Sequence, residues 1–152
     1  VYLNPELAVW IDARELLEIL ESNPQPDQPE WKRAVQLYRG PFLEECYMDW
    51  AVSLRQTLEI RITQCLGDWL AQLASPERAA ETLDYAQRLI QLDDCSQEGY
   101  LAAMRAHLWQ GRPEWAIRLF ETCQKTLMAE LGAEPGLALL ETYQRARLSL
   151  PH

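Results

Sequence analysis

The residues able to do chemistry are few and widely spread. Two histidines occur, His107 and His152, and no serine or cysteine lies near His107 in a nucleophile–base spacing. Cys46, Cys65, Cys95 and Cys123 stand 19, 30 and 28 residues apart, with no C-x-x-C pair and no histidine cluster that would make a tetrahedral zinc set. The acidic pairs Glu44-Glu45 and Asp93-Asp94 have the chemistry of glycosidase carboxylates. Adjacent side chains diverge, however, and both pairs fall at helix starts or turns, where acids suit the N-terminal dipole and solvent. No G-x-S-x-G, G-x-x-x-x-G-K or H-E-x-x-H motif is present, and none of the six glycines is paired as a phosphate cradle would need. The sequence therefore predicts no catalytic residue, no metal site and no cofactor, and it assigns His107 to helix packing.

The elements that must position these residues are read from periodicity. The extreme N-terminus, Val1-Tyr2-Leu3 and Val9-Trp10-Ile11 around Asn4-Pro5, reads as short strands or extended linker. Asp12 with Glu15 then resembles a capping box, and Leu16, Leu17, Ile19 and Leu20 give a first helix ending at Ser22. A second helix starts at Pro29, carries Trp31, Ala34, Val35, Leu37 and Tyr38, and stops at Gly40-Pro41. Asp49 reads as the N-cap of a long helix to about Ala74, with Trp50, Leu54, Leu58, Ile62, Leu66 and Trp69 on its apolar stripe. Four more helices follow: Ser75-Pro76 to Leu92, Gln97 to Gln110 capped by Ser96, Glu114 to Leu131 ending at Gly132, and Leu137 to Leu148.

These helices repeat. Adding 37 to Gly67, Ala79, Leu83 and Ala86 gives Met104, Ala116, Phe120 and Cys123, small or large residues in the same order. The set Tyr100, Met104, His107, Gly111, Ala116, Phe120 and Cys123 follows the register of a tetratricopeptide helix pair, with His107 standing at an aromatic position. Small residues let the two helices approach, and large ones fill the groove between pairs. The fold class is thus an all-α, tetratricopeptide-like bundle of about seven helices. Trp50, Trp69 and Trp115 are read as core, and Trp109, beside a turn, as either inter-helix packing or an anchor for a protein partner.

Composition bounds the rest. The chain has 152 residues, 48% hydrophobic and 24% charged, with 23 acidic against 14 basic residues and a net charge of −9. That is enough apolar material for one core, without disulfides or metal. No apolar run approaches the roughly 20 residues of a membrane span and no secretory leader precedes it, so the expectation is a cytoplasmic domain with reduced thiols and no membrane contact. The acidic balance repels a phosphate backbone, so no direct nucleic-acid contact is expected. Arg145 and Arg147 are placed at a helix C-terminus, where cations complement the dipole. Because the first residue is Val1 rather than Met, the chain is expected to be part of something longer.

Two runs carry a family resemblance. Ala34-x-x-Leu37-Tyr38-Arg39-Gly40-Pro41-Phe42-Leu43-Glu44 followed by Asp49-Trp50-Ala51 and Arg55, and then Gly111-Arg112, Trp115-Ala116 and Glu130-Leu131-Gly132-Ala133-Glu134-Pro135, resemble the bacterial transcriptional activator domain of antibiotic-pathway regulators and related activators. The resemblance covers residues 12 to 147. It implies a regulatory, non-enzymatic domain at 12–148 that works through protein contacts: self-association as a homodimer, adjacent domains of its own regulator, or transcription machinery. Residues 1–11 would then be the exit strand and linker of an upstream winged-helix domain that holds the DNA-binding surface, and 149–152 a tail. The family-motif and interaction residues carried over are Tyr38, Arg39, Gly40, Pro41, Phe42, Leu43, Asp49, Trp50, Trp109, Glu134 and Pro135. The alternative reading is a free-standing tetratricopeptide-like adaptor or peptide-binding scaffold unrelated to transcription.

Overall fold

The computed structural model describes residues 5–38, 40 and 44–151, with side chains from Ile11 onward. Among the described residues the chain forms seven α-helices and no strand: α1 (Pro5–Glu21), α2 (Pro29–Leu37), α3 (Asp49–Leu73), α4 (Ala79–Leu92), α5 (Gln97–Trp109), α6 (Pro113–Leu131) and α7 (Leu137–Leu148). A single 3-10 turn, Pro76–Arg78, leads into α4. The all-α class is as expected from periodicity, and the last helix has the expected ends. At the other end of the chain the expectation fails. Val9-Trp10-Ile11 is helical rather than extended, so α1 is already running where Asp12 and Glu15 were read as its cap. Proline at the first helical position needs no N–H partner, and nothing between Glu6 and Glu21 breaks a helix. Residues 1–4 lie outside the described part.

The chain divides into two compact units, residues 1–65 and 66–152, with the boundary inside α3. In the first unit α1 packs on α2. Ala13, Leu16 and Leu20 of α1, Ala34 and Leu37 of α2 and Leu58 of α3 make a closed apolar cluster, with Tyr38 and Cys65 packed on it. Trp31 is fully buried and its indole N–H donates to the carbonyl of Cys65 at 3.3 Å. Arg33 reaches across to Glu15 at 3.2 Å, an exposed pair of small energetic weight.

In the second unit α4, α5, α6 and α7 pack in succession, and α7 also touches α5. Burial follows the repeat register at two of its four paired positions. Ala79 and Ala116 are both buried, as are Ala86 and Cys123, and Phe120 fills the space beside Tyr100, Met104, Leu127 and Leu139. Phe120 stacks on Tyr143 of α7 with ring centres 4.2 Å apart, and Trp69 meets Tyr85 edge-on at 4.7 Å. The joints follow ordinary capping rules. The Ser96 hydroxyl accepts the Gly99 N–H at 3.1 Å, and Gly132 ends α6 with φ +59°, a left-handed conformation that a side chain resists. Gln97 Oε1 accepts the Gly136 N–H at 2.8 Å, tying the start of α7 to the start of α5.

Two tryptophans are not where the periodic reading put them. Trp50 is 49% exposed and Trp115 is 47% exposed, so neither is core, whereas Trp69 is fully buried as expected. The stripe through Trp50, Leu54, Leu58 and Ile62 advances by four residues each time, a drift of about 40° per step at 3.6 residues per turn. Trp50 is therefore rotated off the face that buries Leu58, Ile62, Leu66 and Trp69, and Ala51 takes the inward position. Trp115 is next to Ala116, and neighbouring helical residues point about 100° apart, so burying the alanine turns the tryptophan out.

Candidate functional site

The sequence-predicted site residues do not form one cluster. Tyr38, Gly40, Asp49 and Trp50 belong to the first unit; Trp109, Glu134 and Pro135 belong to the second. Arg39, Pro41, Phe42 and Leu43 lie outside the described residues. Tyr38 follows α2 at its C-terminal end, half-buried against the first core, and burial, reinforced by the charge of Glu59, pushes its phenol up to about 12. Gly40 has φ +140° with open space around it, a turn conformation other residues avoid. Asp49 is the first residue of α3 and not its cap; the Met48 carbonyl accepts the N–H groups of Ala51 and Val52 at 3.0 Å. The Asp49 carboxylate still stands in the first turn, where the helix dipole favours it. Trp50 lies exposed beside it, its indole N–H directed at Met48 Sδ at 3.3 Å. In the second unit Glu134 is exposed and Pro135 partly buried in the α6–α7 turn.

His107 is buried with Nδ1 lacking a hydrogen-bond partner, and its ring is stacked 6.1 Å from Trp115. Burial, with Arg112 adding to it, lowers its pKa and Glu114 opposes this only in part, so the imidazole stays neutral. Asp93, Asp94 and Cys95 bring three ligand-type atoms within 4.8 Å of one another. The grouping is a turn: Asp93 Oδ1 accepts the Cys95 N–H at 3.0 Å. Desolvation and Asp94 both push the Cys95 thiol up, the opposite of what a thiolate ligand needs. Cys123 is likewise raised, to about 11, by burial first and Cys95 second.

What the second unit does present is an open groove of about 420 Å³, the size of a small-ligand or peptide site. One face of α5 forms its floor: Glu98, Leu101, Ala102, Arg105 and Trp109, spaced 0, 3, 4, 7 and 11. The end of α3 supplies Gly67, Leu70 and Ala71, and α7 supplies Arg145. Gly67 keeps this wall low, since a methyl group there would lie 3.3 Å from Glu98 Oε2. Trp109 is thus brought to a groove, one of the two places the sequence left open for it. Arg105 and Arg145 were not identified as groove residues from the sequence. Arg145 was placed with Arg147 at the helix end, and only the packing of α7 against α5 separates the two: Arg147 lies over Tyr143 at 5.8 Å, whereas Arg145 faces the groove. The signal for Arg105 was its spacing of seven from Glu98 and four from Trp109.

Among the described residues no helix is long and apolar enough to cross a membrane. The family model described as the bacterial transcriptional activator domain matches residues 13–147. No curated protein and no solved structure matches the chain. The match spans most of the chain, which belongs to the bacterial transcriptional activator domain family.

Proposed function

We propose, from that membership, that the chain is the regulatory part of a bacterial transcriptional activator and works through protein contacts, not by catalysis or by gripping DNA itself. The family match over residues 13–147 carries this reading. Three features support it. The groove offers an aromatic and two arginines to a partner. His107 is buried and held neutral, with its ring stacked on Trp115, a packing role. A net charge of −9 disfavours a phosphate backbone, which supports assigning base and phosphate contacts to another part of the regulator. The four cysteines are free thiols, consistent with a cytoplasmic setting, and its partners are its own regulator chain, adjacent domains or transcription machinery.

The test is a bacterial reporter in which this chain is fused to an unrelated DNA-binding domain whose operator lies upstream of a weak promoter. Transcription should change several-fold relative to the DNA-binding domain alone. A fusion indistinguishable from that control would overturn the regulatory reading and favour a scaffold unrelated to transcription, which the groove also fits.

A further inference from the structure

The groove brings together two basic side chains that lack an internal acid among the described residues. Five basic side chains elsewhere have an acidic partner: Arg14 meets Glu18, Lys32 Asp27, Arg33 Glu15, Arg78 Glu81 and Arg88 Asp84. Arg118 and Arg147 lie over the rings of Trp115 and Tyr143. Arg105 and Arg145 have no acidic partner within 4.0 Å and no ring beneath them among the described residues, although acids outnumber bases 23 to 14 in the chain. Leu70, Leu101 and Trp109 line the same groove. Guanidinium groups beside apolar surface, with no internal counter-ion, are set up to take a carboxylate from outside in forked, charge-assisted hydrogen bonds.

The groove is also polar along its length. Glu98 lies about 10 Å from Arg105 along the α5 axis, and Trp109 about 6 Å beyond Arg105, at 1.5 Å per residue. An acidic stretch entering over Glu98 is repelled, and one lying over Arg105 and Arg145 is held, with Trp109 able to cover a neighbouring apolar side chain. We propose that this groove binds an acidic segment of a partner protein, a short peptide with carboxylates next to an aliphatic or aromatic side chain. The proposal rests on the protein-contact reading above and names the surface and the partner chemistry. A nucleic acid fits less well: it would bring many phosphates against the Glu98 carboxylate and a chain of net charge −9.

The test uses fluorescence anisotropy with this chain and three labelled peptides of about ten residues: one of alternating glutamate and leucine, its glutamine counterpart and its lysine counterpart. The glutamate peptide should bind about tenfold tighter than the glutamine peptide, and the lysine peptide weakest. Arg105→Gln and Arg145→Gln should each weaken the glutamate peptide about fivefold or more, while Arg118→Gln leaves it unchanged and Glu98→Gln leaves it equal or tighter. Helical circular dichroism checks each fold, and both target arginines are exposed, so folding should survive. Equal binding of the glutamate and glutamine peptides, wild-type affinity in the arginine variants, or full displacement by a short DNA duplex each overturns the proposal. The same arginine variants in the reporter fusion separate the two readings. A response that survives them overturns the groove assignment and leaves regulation through protein contacts standing, whereas a fusion without any response overturns the regulatory reading.

Discussion

His107 shows how a single residue's chemistry is decided by what surrounds it. The repeat register places it at an aromatic position, and the structure buries it there, 6% exposed, with its ring against Trp115. That role was legible because an imidazole is a flat ring that can stand in the place of a larger aromatic one. The neutrality was not, since it depends on burial and on Arg112, which a linear reading does not bring together. The folded-state pKa lies below the unfolded value of about 6.5, so above that pH both states are neutral and the site contributes its full packing. As pH falls below about 6.5 the unfolded chain takes up a proton that the folded one resists, and stability declines until the depressed folded pKa is passed. A His107→Phe protein lacks this term. Thermal melts between about pH 5 and 8 should show the wild type losing more stability toward the acid end than the variant, and parallel curves would contradict a lowered pKa at this site. Gly132 makes a second residue-scale case: with φ +59°, Gly132→Ala should cost about 1 kcal/mol by denaturant unfolding, through backbone strain with no lost contact.

At the scale of helices, the close approach at Ala79 and Ala116 is the most direct check on the repeat. Both are buried at the start of the second helix of a pair, 37 residues apart. Ala116→Trp and Ala79→Trp should each overpack a pair and cost about 1 to 3 kcal/mol or more, read as a lowered denaturant midpoint; unchanged midpoints would refute the register. Glycine, proline and a capping serine made the later helices legible: Gly132, Pro113 and Ser96 each act locally, so their effect can be read without tertiary context. The start of α1 was not legible, because the β-branched residues of Val9-Trp10-Ile11 express only a weak preference that an unbroken helical run overrides. Trp50 was misplaced for a different reason, as a spacing of four looks like one face over two turns and is rotated well away over three or four. The groove was the least legible feature, since Arg145 reaches it only through the packing of α7 on α5.

At the scale of the whole molecule, charge and family membership answer different questions. Membership places the chain among bacterial transcriptional activator domains, while 23 acids against 14 bases make it a poor ligand for DNA. The two agree if affinity for the operator is supplied elsewhere and this chain supplies contacts to protein. Binding to DNA through phosphates releases condensed counterions, so its strength falls steeply with salt and is greatest at low ionic strength. The acidic chain should therefore leave a duplex of about 20 base pairs unshifted in a gel even near 50 mM salt, the condition most favourable to nonspecific binding. A shift at that salt that disappears by about 200 mM would show a phosphate-binding face despite the net charge, and would return Arg105 and Arg145 to consideration as phosphate ligands. Without such a shift, two arginines lacking an internal acid among the described residues, in a chain of net charge −9, are better explained by a carboxylate-bearing protein segment, small enough to be held locally where a long polyanion would be repelled.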